Sequence, residues 1–237
     1  MTIEAPPRPA PRRSVGRRIT QVVGVLMVLA GLVFLGYFAW QYWGTNIVAK
    51  QRQADIKTSL HRDWDKGIDS KAIGLLRVPR FGKDFEVPIN SGGNFQGKKS
   101  TDALARGVAW YDKGGKPGQI GNFVVAGHRV THGEPFKDFL KLRKGDEVIV
   151  ETRKKIYTYE LRNDGDSITV DFTVSWPLFA VPDPDERGAR PTERLMTMLT
   201  CSELFHTRNR NVVIGELERV QDKATGRVVD ATEADQS

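Results

Sequence analysis

The 237-residue chain contains one cysteine, Cys201, and four histidines. A thiolate is a strong nucleophile, and an imidazole within reach can take its proton and later return one to a leaving group. Cys201 closes the β-type run at residues 195–201. His128 follows the strand-like run at 122–126 and then Gly127, where glycine is expected to let the backbone turn sharply and present the imidazole at a strand end. His132 lies further into the same loop, His206 sits just beyond the thiol, and His61 belongs to a polar segment far upstream. Acyl transfer builds negative charge on a carbonyl oxygen, which a fixed cation stabilises. Arg210 directly precedes the apolar run Val212-Val213-Ile214, and Arg208 stands two residues earlier on the same face of an extended segment. From spacing alone, a surface histidine in a turn and two solvated arginines explain these residues equally well.

The elements that must position these groups are short apolar runs split by Gly, Pro and Asp from about residue 72 onward. Strands are expected at 73–78, 85–89, 122–126, 147–152, 155–162, 195–201 and 211–217, with a weak run at 167–174. Residues 135–142 (PFKDFLKL) begin with proline and have helical spacing, which predicts a short helix. Residues 164–193 form a long, Pro-rich connection of the kind that is usually functional. The domain is therefore expected to be all-β, a closed barrel or a sandwich, over residues 72–220, followed by a disordered tail at 221–237.

The N-terminus bears on the compartment. Residues 22–40 are uncharged and almost wholly apolar, about the length of a bilayer-spanning helix. Arg8, Arg12, Arg13, Arg17 and Arg18 precede them against Glu4 alone, so the basic tail (1–19) is expected in the cytoplasm and the remainder outside. The run ends in bulky aromatics rather than a small-x-small cleavage site, which favours an uncleaved anchor at 20–43 over a signal peptide. Residues 44–71 are polar with sparse apolar positions and read as an extracytoplasmic stalk. Much of the net charge of +7 belongs to the tail, so the exported part carries no nucleic-acid footprint. No metal-type Cys/His spacing and no acidic cluster is present, and no metal or cofactor is expected. An unpaired thiol in an exported chain points to chemistry or intermolecular pairing.

Several of these segments together resemble the sortases, membrane-anchored cysteine transpeptidases of Gram-positive cell surfaces. The matching residues run colinearly from about 72 to 218: Ile73 to Arg80, Gly121-Asn122, Ala126-Gly127-His128-Arg129, Gly133-Glu134-Pro135-Phe136, Leu142-Arg143-Lys144-Gly145-Asp146, and Leu199-Thr200-Cys201 with Arg210. The segment 127–136 fits the Gly-His-Arg-x-Thr-x-Gly-x-Pro-Phe pattern of class E sortases of actinobacteria. Departures are Ser202-Glu203 after the cysteine, where that class usually shows His-Pro, and Trp110 before Tyr111, where a histidine is frequent.

The resemblance implies a closed β-barrel of about eight strands and assigns roles. Cys201 would be the nucleophile, His128 the general acid and base, and Arg210, rather than Arg208, the stabiliser of the oxyanion. It also implies that the 164–193 loop helps to form a substrate groove, with Trp176, Leu178 and Phe179 as apolar contacts and Tyr111 and Thr200 as further ones. The implied reaction cleaves the Thr–Gly bond of a Leu-Ala-x-Thr-Gly sorting signal on a surface protein. The acyl group then passes to an amine on a lipid-linked peptidoglycan precursor or another acceptor. An L,D-transpeptidase is disfavoured, because Met198-Leu199-Thr200 does not match its Ser-His-Gly-Cys-x-Arg segment. A pilus-polymerising sortase would carry an Asp-Pro-aromatic lid, of which Asp63-Trp64-Asp65 is an echo without the proline. A degenerate barrel that only binds peptides is the remaining alternative.

Overall fold

Short apolar runs form ten strands in the computed structural model, which describes residues 15–69, 72–95, 97–202 and 208–232. The chain divides into two units at Gln41 and Tyr42. The first contains an apolar helix, α1 (Val15–Ala39), long enough to cross a membrane by length and composition, with its large side chains exposed. Residues 1–14 lie outside the described residues. The helix begins at Val15, earlier than the anchor boundary expected at residue 20. Arg17 and Arg18 are good helix formers and extend the helix N-terminally of the apolar run.

The second unit is a closed β-barrel. Its wall runs β9 (Asn209–Asp222), β6 (Lys155–Leu161), β5 (Glu147–Glu151), β1 (Ala72–Arg77), β2 (Glu86–Ser91), β3 (Val108–Trp110), β4 (Gly121–Ala126) and β8 (Arg194–Cys201), and β8 pairs back to β9. β2–β3 and β4–β8 are parallel and the other pairs in the wall antiparallel. Two short strands, β7 (Thr169–Asp171) and β10 (Val228–Asp230), add to the long β9. The interior is filled by Leu76, Ile89, Phe123, Val125, Phe136, Phe139, Met196, Met198, Val213 and their neighbours.

The expected strands are present, and three differences have clear causes. β3 is only three residues long, too short to show alternation. Residues 221–237 were expected to be disordered, yet β9 continues to Asp222 and Val228–Asp230 pair with Arg219, Val220 and Gln221. The polar turn between them is closed by Asp222, which accepts from the Ala224 and Thr225 amides, a local device that a reading of composition passes over. The segment 135–142 contains one 3₁₀ turn (Phe139–Lys141) among other turns rather than an α-helix. Its fully buried residues, Phe136, Phe139 and Leu142, recur every three positions, which is the repeat of a 3₁₀ helix and not of an α-helix.

The segment expected as a stalk folds as helix α2 (Thr45–Asp65), whose Leu60 is buried with Ala72 and Leu75 of β1, flanked by Ile56 and Trp64. A further helix, α3 (Gly97–Leu104), connects β2 to β3.

Candidate active site

Strand register brings the three sequence-predicted catalytic residues together. In the parallel pair β4–β8, Ala126 stands opposite Leu199, and the Gly127 amide continues the ladder by donating to the Leu199 carbonyl (3.1 Å). His128 lies two residues past Ala126 and Cys201 two past Leu199, so the parallel register, carried on beyond the end of β4, directs the two to the same level. On the other side of β8, Cys201 is the direct antiparallel partner of Arg210. The face is also shared. Phe123, Val125, Met196, Met198 and Val213 point into the core, so alternation turns Cys201 and Arg210 outward. His128, two residues past Ala126, continues the outward row of β4. Cys201, His128 and Arg210 are each partly exposed, as reacting groups must be.

The two arginines separate. Arg208 is exposed, pairs with Asp171 (3.1 Å) and lies over the Phe172 ring (5.4 Å to the ring centroid). Arg210 is held within β9 between Val170 of β7 and Cys201 of β8. Geometry therefore favours Arg210 as the cation beside the thiol. His206 lies outside the described residues, and His61 sits on α2 near Glu86 (3.8 Å).

Gly127 is needed for a reason other than the one its position suggested. It does not adopt a positive φ. A Cβ there would instead lie 2.7 Å from the buried Phe136 ring. The same phenylalanine donates its amide to the His128 carbonyl (3.0 Å), which closes the loop carrying the imidazole. Within that loop the His132 ring stacks on the His128 ring, 4.6 Å between centroids and 22° between planes. Burial, and then the Arg52 charge, push the His132 pKa down, so its ring favours the neutral form.

The proposed substrate contacts fare unevenly. Tyr111 lies on the outer side beside Val124, to whose carbonyl its amide donates (2.9 Å), and its ring packs near Phe95. Thr200 is buried, and its hydroxyl donates to the Gly127 carbonyl (3.0 Å). It clips the ends of β4 and β8 together and does not present to the outer face. Trp176 opens and Phe179 follows a 3₁₀ turn (Trp176–Leu178) anchored by Asn122, whose amide nitrogen donates to the Pro177 and Phe179 carbonyls (2.9 Å each). Asn122 is six residues from His128, about 20 Å along an extended strand, so this anchor lies at the far end of β4.

Two features were missed. Arg129 donates to the carbonyl of Ser202, tying the histidine loop to the residue after the nucleophile. Phe172 and Val174 are exposed apolar residues just past the end of β7, the strand that borders Arg210. The weak run at 167–174 was the signal for them, too irregular to read as a strand.

Similarity to known proteins agrees with this layout. Residues 76–218 match the sortase domain family. Sortase SrtE2 of Streptomyces coelicolor is 30% identical over 235 residues, which cover 89% of this chain and 87% of that protein. Sortase SrtE1 of the same organism is 29% identical over 221 residues, 88% of this chain, which spans 60% of the length of that relative. The structure of sortase E from Streptomyces avermitilis superposes with a TM-score of 0.55 at 31% identity, covering 66% of this chain and 94% of that one. A closed eight-stranded barrel, a cysteine at the end of one strand and a match over more than half of the sequence place the chain in the sortase family.

Proposed function

We propose that this chain is a class E-type sortase that cleaves a Thr–Gly bond in a C-terminal sorting signal of the Leu-Ala-x-Thr-Gly type. The observation that carries the reading is that Cys201 stands opposite Arg210 in the β8–β9 register while His128 follows the end of β4, the parallel neighbour of β8. The Cys201 thiolate attacks the threonine carbonyl carbon, and the oxyanion that develops is met by the Arg210 guanidinium. Collapse breaks the C–N bond as His128 in its protonated form gives a proton to the departing glycine amine. The product is a thioester on Cys201. An acceptor amine on a cell-wall precursor then loses a proton to neutral His128, attacks the thioester and releases the thiolate.

Exposed apolar residues along α1 and the arginines before it support an anchor with a cytoplasmic N-terminus and a catalytic domain outside. The test uses the full chain in detergent with quenched peptides ending in Leu-Ala-x-Thr-Gly or Leu-Pro-x-Thr-Gly. Mass spectrometry should find an acyl adduct on Cys201. No cleavage of either peptide and no adduct would overturn the enzymatic reading. Preference for the proline peptide would overturn only the class of signal.

A further inference from the structure

Three consecutive residues in the histidine loop have left-handed backbone: His132 (φ 54°), Gly133 (φ 87°) and Glu134 (φ 53°). Glycine takes this conformation freely, but each of the other two pays about 1 kcal/mol or more for it. Such a turn persists only when its surroundings hold it. Here the holding groups come from α2. The Gly133 amide donates to Asn46 Oδ1 (2.9 Å), and Asn46 Nδ2 donates to Glu134 Oε1 (2.9 Å) and more weakly to the Val130 carbonyl (3.4 Å). Gln53 Nε2 donates to the His132 carbonyl (3.3 Å). The approach is close enough that a Cβ on Gly133 would lie 2.6 Å from Gln53 Nε2.

Asn46, Gln53 and Leu60 are spaced by seven, with Ala49 and Ile56 between them, so they form one stripe along α2. The lower part of the stripe is apolar and packs Ile56 and Leu60 with Ala72 and Leu75. The upper part is polar and meets the backbone of the histidine loop. A helix that served only as a spacer has no use for two amide side chains on its docking face.

We infer that Asn46 and Gln53 are positioning residues for His128, acting through the left-handed turn that stacks the His132 ring against it. This rests on the reading of His128 as the general acid and base. Asn46 fixes the turn at Gly133 and Glu134, Gln53 fixes it at His132, and the resulting stack sets the plane of the His128 imidazole. The neutral form favoured by His132 lets the two rings stack without placing two imidazolium charges together.

The test compares the full chain in detergent with Asn46→Ala, Gln53→Ala and the double variant. Two readouts are followed: peptide cleavage and the histidine Hε1 resonances of a ¹³C-labelled sample. The expected result is a fall in kcat of about tenfold or more for the double variant with KM little changed, as misplacement of a catalytic group produces. The His128 resonance should also lose the upfield shift caused by the stacked ring. Lys57→Ala, which removes a contact to Glu86 (3.7 Å) elsewhere on α2, should leave both readouts at the parent level. Parent kcat together with an unmoved His128 resonance in the double variant would show that α2 merely docks. Absence of turnover in the parent overturns the proposed function instead, and the resonance alone then decides whether α2 sets the ring.

Discussion

The two ends of the β4–β8 pair are built from the same strands and face the same side of the barrel, yet they do opposite things. At the Asn122 end, polar side chains close the structure. Asn122 donates to two carbonyls of the 164–193 connection and accepts from the Thr197 hydroxyl (2.9 Å). Arg162 pairs with Glu193 and Glu216 (2.7 Å each), stapling the two ends of that connection together. At the Gly127 end, polar contacts hold the backbone and leave the reacting side chains partly exposed: Thr200 clips Gly127, Arg129 holds the Ser202 carbonyl, and α2 holds the turn behind His128. A closed barrel supplies a rigid wall, and what distinguishes a site on it is which end leaves its chemically capable side chains partly exposed.

The sharpest way to break this comparison is at the open end. Cys201→Ala should abolish cleavage, on the order of 10⁴-fold or more, because it removes the proposed nucleophile. Its unfolding midpoint should stay close to the parent's, since the thiol is partly exposed. Residual acylation in that variant would place the nucleophile elsewhere. Arg210→Ala comes next, with a loss of about 10² to 10³-fold in kcat from the missing oxyanion partner. Arg208→Ala should stay within about threefold of the parent, because it removes an exposed ion pair and a surface ring contact. Equal losses for the two arginines would erase the distinction that the β8–β9 register draws between them.

The closed end should respond in stability rather than in chemistry. Asn122 is buried, and Asn122→Ala leaves two carbonyls and the Thr197 hydroxyl without this partner. That change should cost about 2 to 4 kcal/mol, read as a lowered midpoint in thermal or urea unfolding. The fraction that remains folded should keep most of its kcat. A variant with parent stability and lost turnover would make Asn122 part of the reacting end and dissolve the contrast.

How far the sequence carried depended on the range of the interaction. Strand positions were legible because a short apolar run bounded by Gly, Pro or Asp is a local signal, and Cys201, His128 and Arg210 stood out because each lies at the edge of a strong run. The shape of residues 135–142 was not legible, because a helical spacing and a three-residue repeat look alike over eight positions until Phe136, Phe139 and Leu142 are known to be the buried set. Thr200 could not be separated from a groove residue without knowing which side of β8 faces the core. The reach of α2 was hidden for a different reason. Asn46 and Gln53 meet loop residues about eighty positions away in the chain, and no local pattern marks a polar residue as one that binds distant backbone.

The smallest expected effect concerns the ring behind His128. Burial and Arg52 lower the His132 pKa from its ordinary value, so protonation favours the unfolded chain. Above about pH 6.5 both states hold His132 neutral and its contribution is complete. As pH falls below that value the unfolded chain takes up the proton first, and the contribution is lost progressively down to the lowered folded pKa. His132→Asn removes the titration while keeping a residue that tolerates left-handed backbone. The difference in unfolding midpoint between parent and variant should therefore be largest above pH 6.5 and shrink toward pH 5. Groups common to the two proteins cancel in that difference. A difference that stays flat across the range would mean that His132 meets water in the folded state, and that the stack at the open end is looser than the closed end by more than the geometry shows.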